Sequence, residues 1–319
     1  MTTLPRFLAR RCAEAVPLLM VVSVLVFALI HAAPGGPLAI YLANPQVRPA
    51  DIERLRRALG LDRPLWQQYW TWLWAFAQGD WGYSFSDGRP VVSRIAERLP
   101  ATLELVGVSL AGALLVTMPV GIITAVRRGR WVDRVATLAS IAGLSIPAFW
   151  FGLLLQIVFA IGLGWLPSSG RATPGSGDAV DRLQHLVLPT VVLAIVLASG
   201  WSRYLRGSML DTLAQPFILS TLARGLPPRR VILRHALRNA LGPLMALVTV
   251  DAALLVSGAV VTESVFAWPG LGSLFTEALA RRDYTVLMAL LMLSASAVVV
   301  FNIVADFAHA LVDPRIPAS

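Results

Sequence analysis

The chain contains six apolar runs that are each long enough to cross a lipid bilayer. A helix rises about 1.5 Å per residue, so about 20 apolar residues cover a hydrocarbon core roughly 30 Å thick. Lipid offers no partners to backbone N–H and C=O groups, so each run is predicted to be helical. The sequence therefore predicts an all-α membrane protein with six transmembrane helices. The runs lie at residues 12–33, 101–126, 135–163, 186–205, 244–261 and 286–311.

The composition favours the same class of protein. Hydrophobic residues make up 56% of the chain and charged residues only 14%, whereas soluble domains carry about 25% charged residues. The first run follows Arg6, Arg10 and Arg11, a pattern that a cleaved signal peptide also shows. This run is longer than the roughly 7 to 15 apolar residues of a signal peptide. We therefore predict that residues 1–34 form a retained transmembrane helix.

Arginines are distributed unevenly between the loops. With the N-terminus in the cytoplasm, 15 of the 27 arginines fall on the cytoplasmic side, where only Asp133, Asp211 and Asp313 oppose them. Cytoplasmic loops of membrane proteins carry such an excess of positive charge. We therefore predict a multi-pass protein with both termini in the cytoplasm.

The charge pattern and the residue types also exclude several functions. The asymmetry of the loops explains the net charge of +9, so no nucleic-acid partner is predicted. Cys12 is the single cysteine and the four histidines are scattered, so no metal site is predicted. The chain has no lysine, which a GxxxxGK[ST] phosphate-binding loop requires. Any nucleotide that drives this protein must therefore bind to another polypeptide, and no cofactor is predicted on this chain.

The segment 35–100 is predicted to be a partly helical external region. Ile52, Leu55 and Leu59 recur at helical spacing, and Gly60 follows them as a helix stop. A later stretch, LWQQYWTWLWAFAQGDWGYSF, carries five tryptophans and repeats aromatic residues at helical spacing. Amphipathic aromatic rings are favoured at the headgroup level of a membrane. We predict an interfacial helix there, which either anchors the protein or docks an external partner.

Two acidic residues lie deep within the apolar runs. Asp251 and Asp306 each cost about 2.5 to 3.5 kcal/mol if they are centred and unpaired, so we expect them to face the helix bundle or a partner subunit. Intramembrane acids can mark a proton or ion pathway. An ion-coupled secondary transporter is therefore the alternative from a different class. No Ser/His/Asp set stands out, so no catalytic residue and no enzyme activity are predicted.

The most specific pattern lies in loop 206–242, between the fourth and fifth runs. Pro216 is predicted to end the helix that descends from the membrane, and FILSTLAR then provides about two helical turns. Gly225 stands where a left-handed residue would stop that helix, and Pro227 and Pro228 precede a further helix. The prediction is a helix, a sharp turn and a second helix.

The second helix of this loop is predicted to be two-faced. One face carries Arg230, Arg234 and Arg238, and another carries Leu233, Leu237 and Leu241. The simpler interpretation of the arginines is attraction to anionic lipid headgroups, about 1 kcal/mol for each. A hairpin with a specified turn is more structure than this attraction requires. We therefore predict that the hairpin fits a protein partner.

The loop resembles the cytoplasmic EAA loop of ABC importer permeases, in which a glycine marks the turn of the coupling helix that docks into the ATPase. The stretch YLRGSMLDTLAQPFILSTLARGLPPRRVILRHALRNALGP is similar to that of the dipeptide/oligopeptide/nickel permeases, of the dipeptide permease B type. Other stretches resemble this family in the same order, including GDWGYSF, RPVVSRIAERLPATLEL, ESVFAWPGLGSLFTEALARRDYTV and NIVADFAHALVDPRIP. The resemblance implies a type I importer (MetI-like) permease fold over residues 101–312.

The resemblance also implies a function and a set of partners. The chain would be the permease subunit of an ATP-driven ABC importer in the bacterial cytoplasmic (inner) membrane, and would form the path for di- or oligopeptides. Nickel, glutathione or an oligosaccharide are alternative substrates of the same machine. The implied partners are a second homologous permease, two ABC ATPases that hold ATP and Mg²⁺, an extracytoplasmic substrate-binding protein, and membrane lipid.

The family's coupling loop maps onto one short region of this chain. The implied ATPase-coupling residues are Ser220, Thr221, Ala223, Arg224, Gly225, Leu226, Arg234 and His235. The chain departs from the family pattern at two places beside them. Leu219 replaces an acidic residue, and Leu222 interrupts a run that usually reads T-A-R-A-K-G. We therefore expect the contact with the ATPase to be unusual at these two leucines.

Overall fold

A computed structural model describes residues 4–33, 36–38, 47–175 and 178–312. Helices form nearly all the regular structure in these ranges, beside an isolated bridge between Tyr83 and Pro90. The predicted all-α class is confirmed. In chain order the helices are α1 Leu4–Ala32, α2 Pro49–Ala58, α3 Leu65–Ala77, α4 Val91–Val126, α5 Trp131–Ser145, α6 Ala148–Gly162, α7 Ala179–Leu213, α8 Pro216–Ala223, α9 Pro228–Val256, α10 Val260–Val265, α11 Leu271–Ala280 and α12 Tyr284–Val312.

Five helices within the described ranges are long and apolar enough to cross a membrane, namely α1, α4, α7, α9 and α12. The third predicted run is not one straight helix, because α5 and α6 meet at an angle of 99°. The residue before a proline is sterically disfavoured in the α-conformation, and Ile146, before Pro147, is extended with ψ of 122°. The count is therefore five spans, or six if the bent pair forms one.

Several helices continue well beyond their apolar runs. Helix α4 begins at Val91 rather than at residue 101, and α7 covers Ala179–Leu213 rather than 186–205. Helix α9 begins at Pro228, whereas the fifth run was predicted to start at residue 244. The second helix of the predicted hairpin is therefore the first part of the fifth span. Hydropathy missed these extensions because charged residues interrupt their apolar positions, so that no long apolar run marks them, although residues such as Val91 and Val231 are buried.

The centre of the bundle is the contact between α4 and α7, which small residues bring close together. A side chain at Gly121 would lie 2.8 Å from atoms of Leu205, which is fully buried. Small residues allow the backbones of membrane helices to approach closely. Trp201, Met209 and Leu244 fill the same core and connect α7 to α9.

The two ends of the bundle differ in charge. We call the end that carries loops 127–130 and 214–227 the basic end. The opposite end, which carries α2, α3, α10 and α11, is the far end.

At the basic end, Arg206 forms a two-point ion pair with Asp133, with distances of 2.7 and 2.8 Å. This pair holds the start of α5 against α7.

Candidate functional site

The predicted hairpin protrudes from the basic end. Helix α7 ends at Leu213, and Pro216 occupies the first turn of α8. Pro216 therefore begins the short helix rather than ending α7, because a proline at the start of a helix loses no backbone hydrogen bond. Gly225 has φ of +81° and its N–H donates to the carbonyl of Leu222 at 2.9 Å. The predicted left-handed stop at Gly225 is confirmed.

One face of α8 anchors the hairpin to the bundle, and the other is open. Ile218 is only 3% exposed and packs into the core that contains Met209 and Val231. Phe217, Leu219 and Leu222 are exposed on α8, and Leu219 is 67% exposed. Contiguous exposed apolar side chains mark interaction surfaces. We call these three residues the apolar tip of the hairpin.

The predicted coupling residues surround this apolar tip. Ala223, Arg224 and Gly225 are exposed, while Leu226 is half-buried against the core. The hydroxyls of Ser220 and Thr221 donate to the carbonyl of Phe217 at 2.9 and 2.6 Å. These two hydroxyls are therefore satisfied within α8, and the surface that they border is largely apolar.

Arg234 and His235 lie in a turn of α9 with unusual winding. Residues Val231–Ala236 form a π-helix, in which hydrogen bonds run from i to i+5. This wider turn changes the faces that the sequence predicted. Of the three leucines predicted to share a face, Leu237 and Leu241 pack against the core, whereas Leu233 is 45% exposed. Turns of π-helix occur frequently at functional sites.

The deep acid Asp251 is part of the helix bundle. The indole N–H of Trp201 donates to its carboxylate at 2.6 Å, and Trp201 is almost completely buried. This bond joins α7 to α9 and confirms that Asp251 faces the bundle. Asp306 lies on α12, but its side chain is outside the described part of the structure.

A fully buried glutamate at the far end was missed by the sequence reasoning. Glu263 accepts hydrogen bonds from the hydroxyl of Thr102 at 2.9 Å and from the N–H of Ser273 at 3.0 Å. The hydroxyl of Thr102 also accepts the N–H of Leu271 at 2.8 Å. The carboxylate therefore caps the start of α11, where free N–H groups favour an anion. An acid before the Pro-Gly-Leu-Gly turn of ESVFAWPGLG is the signal that could have found it.

A second buried acid, also missed, closes loop 78–90 of the predicted external region onto the bundle, and we call this segment the external loop. Asp283 is fully buried and accepts the hydroxyl of Ser84 at 2.5 Å and the N–H of Phe85 at 3.2 Å. The guanidinium of Arg94 lies 3.5 Å from the same carboxylate. Since Ser84 and Asp283 are 199 residues apart, no local sequence pattern connects them.

Arg94 is the centre of a larger ion network. Its guanidinium lies 3.5 Å from Asp87 and 3.6 Å from Glu277, and Arg98 approaches Glu277 at 3.3 Å. Only 9% of the Arg94 side chain is exposed. We call Arg94, Asp87, Glu277 and Asp283 the far-end clamp. This clamp joins the external loop, the start of α4, α11 and the start of α12.

The predicted aromatic helix is α3, and it packs against the first span. The hydroxyl of Tyr69 is 2.8 Å from that of Ser23, and the rings of Phe27 and Tyr69 are 5.5 Å apart. Trp66, Trp70 and Trp74 lie on the opposite face and are exposed. The contact of this face with lipid or with an external partner stays a prediction.

The long apolar helices and the hairpin at one end of the bundle define a multi-pass membrane protein. The sequence model of the binding-protein-dependent transport system inner membrane component matches residues 117–317, and the model of the N-terminal part of such components matches residues 4–106. The chain belongs to this family of permeases. The resemblance stated from the coupling loop is thereby confirmed.

Curated relatives match the chain over nearly its whole length. The oligopeptide transport system permease protein AppB of Bacillus subtilis (strain 168) is 41% identical over 312 residues, which cover 97% of this chain and 98% of that protein. The glutathione transport system permease protein GsiC of Escherichia coli (strain K12) is 37% identical over 310 residues, with the same coverage of both chains.

The fold also matches a solved transporter. A chain of the MetNI methionine ABC transporter, in an inward-facing conformation, aligns with a TM-score of 0.57 over 70% of this chain and 98% of that chain. The sequence identity is 20%, so this match shows the fold alone. It confirms the predicted type I importer permease fold.

Proposed function

We propose that this chain forms the translocation path of an ATP-driven ABC importer for di- or oligopeptides, and that its hairpin couples the path to an ATPase. The observation that carries the proposal is the two-sided arrangement of α8. Ile218 is fixed in the core, while the apolar tip is exposed directly above it. A partner that grips the tip therefore pulls on a helix that is rooted in the bundle.

The proposed mechanism needs no covalent chemistry on this chain. Two ABC ATPases would hold ATP and Mg²⁺, and their closure on ATP would displace α8. The core around Ile218 includes side chains of both α7 and α9, so a displacement of α8 acts on two spans at once. Packed cores switch between discrete arrangements rather than deforming continuously. The path between this chain and a second homologous permease would thereby alternate between two packings.

The sidedness of the molecule follows from the same proposal. The basic end would face the cytoplasm, together with both termini, as the excess of arginine in its loops supports. A substrate-binding protein would deliver its cargo at the far end. Ser220, Thr221, Ala223, Arg224, Gly225, Leu226, Arg234 and His235 would border the ATPase contact, and the apolar tip would fill its centre.

The substrate class is supported by the relatives. One is named as an oligopeptide permease and the other as a glutathione permease. A di- or oligopeptide is therefore the substrate that we propose, with glutathione as the nearest alternative. Competition between a labelled dipeptide and unlabelled glutathione, nickel or oligosaccharide, measured as uptake into proteoliposomes, discriminates between these substrates.

A crosslinking experiment tests the coupling role. A cysteine replaces Ser220 in a chain whose Cys12 has been changed to Ser, and the complex with the cognate ATPases is treated with a short bifunctional reagent. We expect crosslinks to the ATPase whose yield changes with nucleotide. The matched control is Gln78→Cys, an exposed position at the far end, which should give none. An intact complex without a Ser220 crosslink, with and without ATP, would contradict the assignment.

A transport experiment separates the proposal from its alternative class. An ion-coupled transporter would retain uptake without the ATPases and would lose it when the proton gradient is collapsed. We expect the opposite dependence. Family membership already favours the ATP-driven importer.

A further inference from the structure

An open groove lies at the basic end, between the last turn of α4 and the first turns of α9. Its volume is about 510 Å³. Five apolar side chains and two arginines line it, namely Ile122, Ile123, Val126, Ile232, Leu233, Arg127 and Arg229. The groove is separate from the apolar tip, which is on α8.

The apolar part of the groove is open to the surroundings of the bundle. Ile123, Val126 and Leu233 are 43%, 48% and 45% exposed. Both α4 and α9 continue from the groove as membrane-spanning helices. The groove therefore opens where the hydrocarbon core of a bilayer gives way to the headgroups. Apolar side chains in that position contact acyl chains rather than water.

The two arginines of the groove carry uncompensated charge. Among the described residues, neither Arg127 nor Arg229 forms an ion pair. Asp133, the nearest acid along the chain to Arg127, already accepts two bonds from Arg206 and one from the N–H of Gly129. Guanidinium groups bind phosphate oxygens with two parallel hydrogen bonds. Basic pockets between spanning helices on the cytoplasmic side are known to hold anionic lipid headgroups.

We propose that this groove is a binding site for an anionic phospholipid of the cytoplasmic leaflet. The phosphate lies between Arg127 and Arg229, and an acyl chain covers Ile123, Val126 and Leu233. The proposal rests on the proposed sidedness of the basic end, but not on the substrate of the importer. Because Arg229 follows Gly225 by only four residues, a lipid bound there braces the root of the hairpin against α4.

Lipid titration of the full chain, purified with its partner subunits in detergent, tests the site. Native mass spectrometry measures the apparent affinity for phosphatidylglycerol and for phosphatidylcholine. We expect the double variant R127Q/R229Q to lose roughly 10-fold or more in affinity for phosphatidylglycerol. The matched control is R128Q/R230Q, which removes the same charge from neighbouring exposed positions outside the groove lining. It should change the affinity by less than about threefold, because salt screens exposed charges that do not contact the lipid.

A second variant tests the apolar half. Leu233→Trp fills the groove without changing the charge, and we expect it to weaken the binding of phosphatidylglycerol. In the unmodified chain, we expect that inorganic phosphate does not compete with this lipid. Competition by inorganic phosphate would instead show a free-anion site.

Four results would overturn the proposal. They are competition by inorganic phosphate, an equal loss in both arginine double variants, equal affinity for phosphatidylcholine, and a crosslink from Leu233→Cys to a partner subunit. The readout is lipid occupancy alone, so a failed ATPase crosslink at Ser220 would not affect it, and the two proposals fail separately.

Discussion

The far end and the basic end of this permease differ in how many of their side chains find partners within the chain. At the far end, Glu263, Asp283 and Arg94 are buried and each has charged or hydrogen-bonding partners. At the basic end, the apolar tip is exposed and several arginines have no acidic partner among the described residues. Buried charged groups are costly unless they are paired, whereas a contiguous exposed apolar patch marks an interaction surface. The buried acids of the far end therefore hold the scaffold together, whereas the apolar tip of the basic end has the character of an interface.

The strongest test of this contrast removes the fully buried acid of the far-end clamp, Asp283. Asp283→Ala leaves the buried guanidinium of Arg94 without its fully buried partner and removes the carboxylate that accepts hydrogen bonds from Ser84 and Phe85. We expect the free energy of unfolding to fall by about 3 to 5 kcal/mol, measured by titration with sodium dodecyl sulfate. Glu97→Gln is the control, because its pair with Arg89 is half-exposed and such pairs contribute at most about 1 kcal/mol. Equal losses in the two variants would show that the far-end clamp contributes no more to the free energy of unfolding than a half-exposed ion pair does.

A matched pair of threonines gives the next largest effect. Thr102→Val removes a donor to Glu263 and an acceptor for Leu271, so we expect a loss of about 2 to 3 kcal/mol. Thr117→Val is the same change on the same helix, at a buried hydroxyl without a hydrogen-bond partner among the described residues. It should be neutral or stabilising. The same titration measures both variants, and a reversal of their order would refute the capping role of Glu263.

The smallest effect on stability is expected at the hairpin. Gly225→Ala places a side chain in a left-handed conformation with φ of +81°, which costs about 1 to 2 kcal/mol. The hairpin turn should distort, and the crosslink from position 220 to the ATPase should weaken more than global stability does. Gly207→Ala serves as the control, since this helical glycine has open space around it and should be neutral or slightly stabilising. If the two variants behave alike in both measurements, the turn at Gly225 is not what positions the tip.

Much of the fold could be predicted from hydropathy and turn residues. Apolar runs located the spans. Gly60 and Gly225 correctly marked the turns after the short helices α2 and α8, with φ of +67° and +81°. The errors fall where helices leave the lipid, as at the start of α9, or where Pro147 breaks an apolar run. Hydropathy reports where a chain meets lipid, and it does not report where helical hydrogen bonding begins and ends.

The candidate site divides in the same way. The position of the hairpin, its glycine turn and its departures at Leu219 and Leu222 could be read along the chain. That these two leucines point outward while Ile218 points into the core required the packed structure. The partners of Asp251, Glu263 and Asp283 also emerged only there, because Trp201, Thr102 and Ser84 lie 50, 161 and 199 residues away from them.

The sequence by itself determined that this chain is a multi-pass helical protein, which end of it is basic, where its hairpin turns and to which family it belongs. These properties depend on local composition and spacing, since a lipid environment forces each apolar run into a helix independently of the others. The tertiary structure decided which acids are buried and paired, which face of α8 is open and where a groove remains between α4 and α9. Those features depend on contacts between helices distant along the chain, and no local pattern encodes such contacts.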